Sequence, residues 1–196
     1  MQDLSLQEMI TAHTALLAKH LEEFLPLIRL LRLLGKGPVS PEEVATMMHG
    51  KPQQVEELLH LWGLVVDAEG AMQTVAGSGC ALDTLLFPML TGRSSSVVAT
   101  CPATGRQFRL RVTEHTIEDL DPPGAVLSLR LPGETTDAEN VQATICTHGH
   151  FFVDREQASA WPGLHPETVL LPVEEAAHLA RALAEAACGY AAEVQR

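Results

Sequence analysis

The sequence of 196 residues has few aromatic side chains, few cysteines and little positive charge. Aromatic residues make up 4% of the chain, so a hydrophobic core must be built mainly from leucine, valine and alanine. The formal net charge of -12 at pH 7 repels the phosphates of nucleic acids and anionic membrane surfaces. No uncharged run approaches the ~20 residues that a membrane helix needs. We therefore expect no nucleic-acid partner and no membrane partner.

The N-terminus lacks a basic segment followed by an apolar one, so we expect no signal peptide and a soluble, cytoplasmic protein. Hydrophobic residues make up 46% of the chain and charged residues 19%, which is typical of a globular protein. The four cysteines are widely spaced and form no Cys-x-x-Cys pair: Cys80, Cys101, Cys146 and Cys188. In a cytosolic chain they indicate reactive, metal-binding or simply buried thiols rather than a disulfide framework.

The first third of the sequence is predicted to be helical. Leucine and isoleucine recur at helical spacing over residues 4–20 and 21–34, a capping box at Ser40 predicts a third helix, and a fourth follows from Pro52. Residues 64–75 indicate a strand, a turn and the beginning of a second strand. Helices followed by a small hairpin are typical of a winged helix-turn-helix. DNA binding is disfavoured because the fourth helix carries two glutamates and one terminal lysine.

From residue 80 onward the pattern changes to a helix of about ten residues and then to alternating segments separated by turns. The alternation predicts a mainly antiparallel sheet of about four strands, a further strand at residues 168–172 and a strong closing helix. The predicted fold class is therefore α+β. An N-terminal winged-helix-like helical domain, residues 1–75, is followed by a mainly antiparallel sheet domain packed with helices, residues 76–196.

A Cys-x-His-x-His run is predicted to lie on one of these strands, with Cys146, His148 and His150 on the same face. Such a run is typical of zinc or copper sites. Alternate residues along a strand are ~6.6 Å apart, so Cys146 and His150 are too far apart to share one ion without a bend. The two histidines are either supporting or transient metal ligands, or partly buried strand residues with hydrogen-bonded rings, and we favour the second interpretation.

Cys80 and Asp83 stand one helical turn apart at the predicted start of a helix, so their side chains can share a face. The helix dipole favours a thiolate there and should lower the pKa of the Cys80 thiol from ~8.5. A buried cysteine beside a capping aspartate would give the same pattern. Cys188 lies among alanines in the closing helix and is predicted to pack in the core.

Five segments together resemble the organomercurial lyases, also called alkylmercury lyases. The similarity follows the same order along the chain as far as the last helix, and the N-terminal helices with "GKGPVS" fit the winged-helix domain of that family. The segments are "CALDTLLFP" at residues 80–88, "TGR" at 91–93, "CPATG" at 101–105, "DPPGAVLSLRLP" at 121–132 and "CTHGHFF" at 146–152.

The resemblance implies an enzyme that cleaves a carbon–mercury bond by protonolysis and gives a hydrocarbon and Hg(II), for mercury detoxification. It implies that Cys80 and Cys146 are the two mercury-binding thiols, that Asp83 is the acid, and that Cys101 is structural. We expect no built-in cofactor, because mercury arrives with the organomercurial substrate. Exogenous cytosolic thiols should be needed to release Hg(II), which in this family passes to mercuric reductase.

The residue types agree with that chemistry. A soft metal selects thiolates, and a carboxyl group beside them can take a thiol proton and later deliver a proton to the carbon. An apolar pocket that raises the pKa of Asp83 would help it hold the proton, with walls expected from residues 85–88, Phe151 and Phe152. The stretch before Cys80 is shorter than the family pattern. A scaffold that sequesters mercury without cleaving the bond is therefore the alternative function.

Overall fold

A computed structural model describes residues 5–36, 46, 64–66, 72–74, 80–136 and 140–193. The helices are α1 (Leu6–Lys19), α2 (Leu21–Lys36), α3 (Ala81–Thr91), α4 (Val141–Thr144), α5 (Arg155–Ala160) and α6 (Val173–Glu193), and a 3-10 turn spans Cys146–His148. The strands are β1 (Leu64–Val66), β2 (Met72–Thr74), β3 (Ser95–Thr100), β4 (Gln107–Val112), β5 (Ile117–Asp121), β6 (Val126–Arg130), β7 (Phe151–Phe152) and β8 (Thr168–Pro172). None of the described helices has the length and hydrophobicity that a membrane-spanning segment requires.

The two N-terminal helices confirm the helical prediction for residues 4–20 and 21–34. A capping box begins α1: the Glu8 backbone N–H donates to Ser5 Oγ at 3.3 Å, and the Ser5 N–H donates to the Glu8 carboxylate at 2.8 Å. Near the end of α2, a Cβ atom on Gly35 would collide with the backbone of Thr91. Glycine therefore lets α2 and α3 approach backbone to backbone.

The hairpin predicted at residues 64–75 is present, because β1 pairs antiparallel with β2 and Leu64 faces Thr74. Apart from Thr46, the third and fourth helices predicted from Ser40 and Pro52 lie outside the described residues. So does the short segment before Cys80. The complete winged-helix arrangement remains a prediction for this reason.

The strands after residue 80 form two three-stranded antiparallel sheets rather than one sheet of about four strands. The first has the order β3-β4-β5 and the second β7-β6-β8. The prediction missed β5, whose residues are largely exposed and acidic and so lack a buried alternating face. The strand at residues 168–172 and the closing helix are confirmed as β8 and α6.

The hydrophobic core is shared by the N-terminal helices and the rest of the chain. Helix α3 is buried almost completely and packs against α2 and α6, while α6 also packs against α1. Leucine and alanine dominate this core, and two of its large aromatic members are Phe87 and Phe108. The start of α3 is thereby placed where helices from both ends of the chain meet.

The prediction that Cys146, His148 and His150 lie on a strand is wrong. Residues 141–148 form α4 and the 3-10 turn, and only Phe151–Phe152 belong to a strand. Val141 and Ile145 are both buried, and this spacing of four residues is that of a helix. The side chains of Cys146, His148 and His150 therefore do not share a strand face.

Candidate active site

Cys80 and Asp83 are held by the first turn of α3. Cys80 is the N-cap residue, and its carbonyl accepts hydrogen bonds from the backbone N–H groups of Asp83 at 3.0 Å and Thr84 at 3.3 Å. The Ala81 N–H instead donates to the carbonyl of Gly149 at 3.2 Å. The start of this helix is thus bonded directly to the turn that follows Cys146.

Cys146 reaches the site from the 3-10 turn, which closes with a hydrogen bond from the Gly149 N–H to the Cys146 carbonyl at 3.0 Å. The absence of a side chain at Gly149 is required by its contacts. A Cβ atom at this position would lie 2.6 Å from Cys80 Sγ and 3.3 Å from the Ala81 nitrogen. The turn can therefore bring Cys146 to Cys80 only because residue 149 is glycine.

Side chains and backbone groups of strand β6 hold this turn in place through hydrogen bonds. The buried Ser128 hydroxyl donates to the His148 carbonyl at 2.6 Å and accepts from the His150 N–H at 2.9 Å. The Ser128 N–H also donates to the His150 carbonyl at 2.9 Å. Two residues along, Arg130 donates to the Thr144 carbonyl at 3.3 Å. These bonds hold the backbone on both sides of Cys146.

The three residues predicted from the sequence come together. One ligand atom from each of Cys80, Asp83 and Cys146 lies within 4.8 Å of the other two. Within the part of the chain that the structure describes, this is the one group of three or more such side chains with that spacing. Two sulfur atoms and a carboxylate can bind a soft cation and exchange a proton at the same point.

Cys80 is held as a thiol, contrary to the prediction that the helix terminus would lower its pKa. A hydrogen bond with Cys146, burial and the negative charge of Asp83 together raise the pKa of Cys80 well above its ordinary value. The backbone N–H of Leu82 acts in the opposite direction and is outweighed. The prediction from the helix dipole is wrong because Cys80 is buried and hydrogen-bonded to Cys146.

Asp83 is poised between its two protonation states. Burial raises the pKa of its carboxyl group from 3.8 to about 7, as expected for an apolar pocket. Both the carboxylate and the carboxylic acid are therefore well populated near neutral pH. A group of this kind can accept a proton in one step and donate it in a later step.

An apolar cavity of about 130 Å³ adjoins the three residues. Cavities of about 150 Å³ in other proteins admit benzene, so an alkyl or aryl group of modest size fits here. Of the described residues around it, all but four have apolar side chains. The polar four are His13, Cys80, Asp83 and Cys146, and the apolar walls come from Leu16, Leu17, Phe24, Leu27, Ile28, Leu31, Leu82, Leu86, Phe87, Leu90, Val141, Ile145, Leu183 and Ala187.

The expected aromatic walls are only partly present. Phe87 lines the cavity, but Phe151 and Phe152 are not among the described residues around it. Phe151 stacks on Phe108 with ring centroids 4.4 Å apart, and Phe152 packs against Trp161 at 5.5 Å. Both phenylalanines face the packing between elements rather than the cavity.

His13 is the polar cavity residue that the sequence interpretation missed. It lies on α1 four positions after Met9, and both side chains are buried. A histidine inside the apolar stripe of a helix was the signal that could have revealed it, since a buried polar group normally needs a partner.

The remaining candidates lie apart from the three-residue cluster. His148 lies beside His165 with ring centroids 4.6 Å apart, and His150 is edge-on to Trp161 at 5.2 Å. Burial lowers the pKa of both His148 and His150. Cys101 is fully buried in a smaller hydrophobic cluster that also contains Phe152.

The chain is similar to alkylmercury lyases over most of its length. Residues 68–185 match the family model described as "MerB: Alkylmercury lyase". The alkylmercury lyase of Pseudomonas putida is 34% identical over 188 residues, which cover 84% of this chain and 86% of that protein. The alkylmercury lyase of Staphylococcus epidermidis is 33% identical over 176 residues, covering 79% of each.

A solved structure shares the fold. The "Crystal structure of the mercury-bound form of MerB2" aligns with a TM-score of 0.58 and covers 92% of this chain and 99% of that one. Its sequence identity to this chain is 17%, so the likeness bears on the arrangement of helices and strands alone.

Proposed function

Because the chain belongs to the alkylmercury lyase family and is an organomercurial lyase, we propose that Cys80 and Cys146 bind the mercury of its substrate and that Asp83 carries the proton to the departing carbon. The observation that carries this assignment is the convergence of two thiols and one carboxyl group within 4.8 Å at an apolar cavity. Each of the three has the chemistry that its role requires.

Cys146 is the first thiol to react. It is partly exposed, whereas Cys80 is buried, so an organomercurial carried by a small thiol meets Cys146 first. The Cys146 sulfur forms a bond to mercury, the bond from mercury to the small thiol breaks, and the Cys146 proton leaves on that small thiol. The organic group then lies in the cavity.

Cys80 and Asp83 act in the next two steps. The Cys80 sulfur bonds to mercury as its proton passes to the Asp83 carboxylate, which gives an anionic bis-thiolate with the organic group still attached. Two thiolates push electron density onto the carbon. Asp83 then donates its proton to that carbon as the carbon–mercury bond breaks. The products are the hydrocarbon, Hg(II) held by two thiolates, and Asp83 again as a carboxylate.

The raised pKa of both groups suits this sequence of transfers. A Cys80 thiol that keeps its proton until mercury arrives supplies the proton that the reaction consumes. A carboxyl group with a pKa of about 7 can hold that proton and release it to carbon, which a fully exposed aspartate would do poorly at neutral pH.

The Hg(II) product leaves by thiol exchange in this proposal. Two small thiols replace Cys80 and Cys146 on mercury and return both cysteines to the thiol form. Such exchange requires the reduced thiols of the cytoplasm. A mercuric reductase is the expected consumer of Hg(II). No resident cofactor is needed, because mercury enters as part of the substrate.

The two predicted domains have different roles in this proposal. Residues 76–196 contain Cys80, Asp83 and Cys146, and residues 1–75 are the predicted winged-helix-like unit. Helices α1 and α2 of that unit contribute seven of the residues around the cavity: His13, Leu16, Leu17, Phe24, Leu27, Ile28 and Leu31. In this proposal α1 and α2 therefore help to enclose the organic group.

The test is turnover of phenylmercury in excess small thiol, with benzene and Hg(II) both measured. The native protein should release the two in equal amounts, and Cys146→Ser should release little of either. Cys188→Ser is the matched control, because it removes a partly buried thiol outside the cluster and should leave turnover unchanged. Tight retention of phenylmercury by the native protein without benzene would instead indicate a sequestering protein.

A further inference from the structure

His13 is a buried histidine with one satisfied ring nitrogen. Its side chain is 6% exposed and lines the same cavity as Cys80, Asp83 and Cys146. Nδ1 lies 2.9 Å from the carbonyl oxygen of Met9, one helical turn earlier. Nε2 is buried and has no hydrogen-bond partner in the described part of the chain.

The hydrogen bond to Met9 determines which nitrogen carries the proton. A carbonyl oxygen only accepts, so Nδ1 must be the donor. Burial lowers the pKa of His13 and keeps the ring neutral near pH 7, with the hydrogen bond to Met9 opposing this more weakly. In a neutral imidazole the other nitrogen then has a free lone pair. Among the described residues, Nε2 is therefore a hydrogen-bond acceptor without a donor.

Among the described residues around the cavity, His13 is the polar one that a bound substrate leaves available. Of the four polar side chains around it, Cys80, Cys146 and Asp83 are used by the mercury and the proton. The other described lining residues are apolar and offer no hydrogen bond. An organic group without a donor leaves Nε2 unpaired, whereas a group with a suitably placed donor satisfies it.

We propose that His13 is a specificity-determining residue, whose Nε2 accepts a hydrogen bond from a hydroxyl or amino substituent on the organic group of the substrate. The favoured substrate class is then aryl or alkyl mercury that carries such a donor. The inference rests on the proposed function of the Cys80, Asp83 and Cys146 cluster, since that cluster directs the organic group into the cavity.

The experiment compares hydroxyphenylmercury with methoxyphenylmercury, each substituted at the ortho, meta or para position. Hydroxyl and methoxy groups are both electron-donating oxygen substituents, but only the hydroxyl carries a hydrogen-bond donor. The readout is the ratio of kcat/KM for the two compounds. A single hydrogen bond in a buried site predicts a preference of about tenfold for the hydroxyl at one ring position.

Three variants separate the hydrogen bond from other effects. His13→Leu should abolish the preference, and His13→Gln, whose side chain offers a carbonyl acceptor, should retain part of it. His20→Leu is the matched control. His20 also has a buried, unpartnered Nε2, but it is not among the described residues around the cavity, so the preference should persist.

Two results would overturn the role of His13. One is a native protein that cleaves all compounds without preferring the hydroxyl at any position. The other is a preference that survives in His13→Leu. If the leucine variant does not fold, a preference that keeps its full strength in His13→Gln overturns the role instead. A native protein that releases no arene from any compound would refute the proposed function itself, and this inference with it.

Discussion

Cys80 and Cys146 lie close together, but their backbone segments are held in place in different ways. Cys80 begins a buried helix whose position is set by hydrophobic packing on α2 and α6. Cys146 lies in a short turn that adds little to the core and is held by hydrogen bonds from Ser128 and Arg130. One thiol is placed by burial and the other by a few polar contacts.

The difference matters for the chemistry. The buried thiol retains its proton, and the partly exposed thiol is accessible to an incoming mercury compound. A cluster built this way can capture at one sulfur and complete the reaction at the other. The two thiols should also differ in their sensitivity to mutation. The position of Cys80 depends on hydrophobic packing, whereas the position of Cys146 depends on a few hydrogen bonds.

The largest effects should come from replacing the two thiols separately. Cys80→Ser should still capture phenylmercury through Cys146 but release benzene at least about a thousandfold more slowly, since protonolysis needs both thiolates. Cys146→Ser should lose rapid capture as well. Stopped-flow capture and benzene release measure the two steps. Equal capture rates in the two variants would break the assignment of Cys146 as the first thiol.

Gly149→Ala should have the next largest effect. The new methyl group would overlap Cys80 Sγ and push the two thiols apart, so we expect a loss of about a hundredfold in kcat/KM. The matched control is Gly124→Ala, where a Cβ atom meets nothing within 4 Å. A Gly149→Ala protein with native kinetics would show that the close approach of the turn to Cys80 is unnecessary.

Ser128→Ala should destabilise the turn that carries Cys146 while leaving the proposed mercury-binding residues unchanged. It leaves the partly buried carbonyl of His148 and N–H of His150 with fewer partners, which costs about 1 kcal/mol in the free energy of unfolding. We expect turnover to fall about tenfold as Cys146 becomes less well placed. Ser96→Ala on the exposed side of β3 is the control. Unfolding and turnover measured together separate positioning from stability, and a loss of stability at full turnover would contradict a positioning role.

The smallest effect concerns stability and pH. The folded protein raises the pKa of Asp83 to about 7, so the proton bound to this carboxyl group favours the folded state at low pH. That stabilisation is lost as the pH rises through 7. Between pH 6 and pH 8 the native protein should lose about 1 kcal/mol more stability than Asp83→Asn. Chemical unfolding at the two pH values measures this, and parallel changes in both proteins would refute the raised pKa.

The sequence predicted the packed half of the site better than the hydrogen-bonded half. The helix that begins at Cys80 and the placement of Cys80 and Asp83 on one turn follow from hydrophobic periodicity and helical spacing. The turn at Cys146 was predicted as a strand. Its conformation depends on Ser128, which is distant in the sequence, so local pattern could not reveal it.

Two other features required the three-dimensional structure for the same reason. The pKa of Cys80 depends on the approach of Cys146 and on burial by other elements, so the helix terminus alone gave the wrong direction. His13 becomes part of the site only because α1 packs against α6 beside the cavity. Periodicity indicated a buried face on α1 but not which element would cover it.

The most direct test of the account is a single-turnover experiment with Asp83→Asn and one equivalent of phenylmercury. We expect this variant to capture phenylmercury through Cys146 as the native protein does, since asparagine is similar in size to aspartate and the Cys146 proton leaves on the small thiol rather than on residue 83. Benzene should form at least about a hundredfold more slowly, because the amide cannot pass a proton from Cys80 to carbon. Release of benzene at the native rate would show that the proton comes from another group, and the proposed role of Asp83 would be wrong.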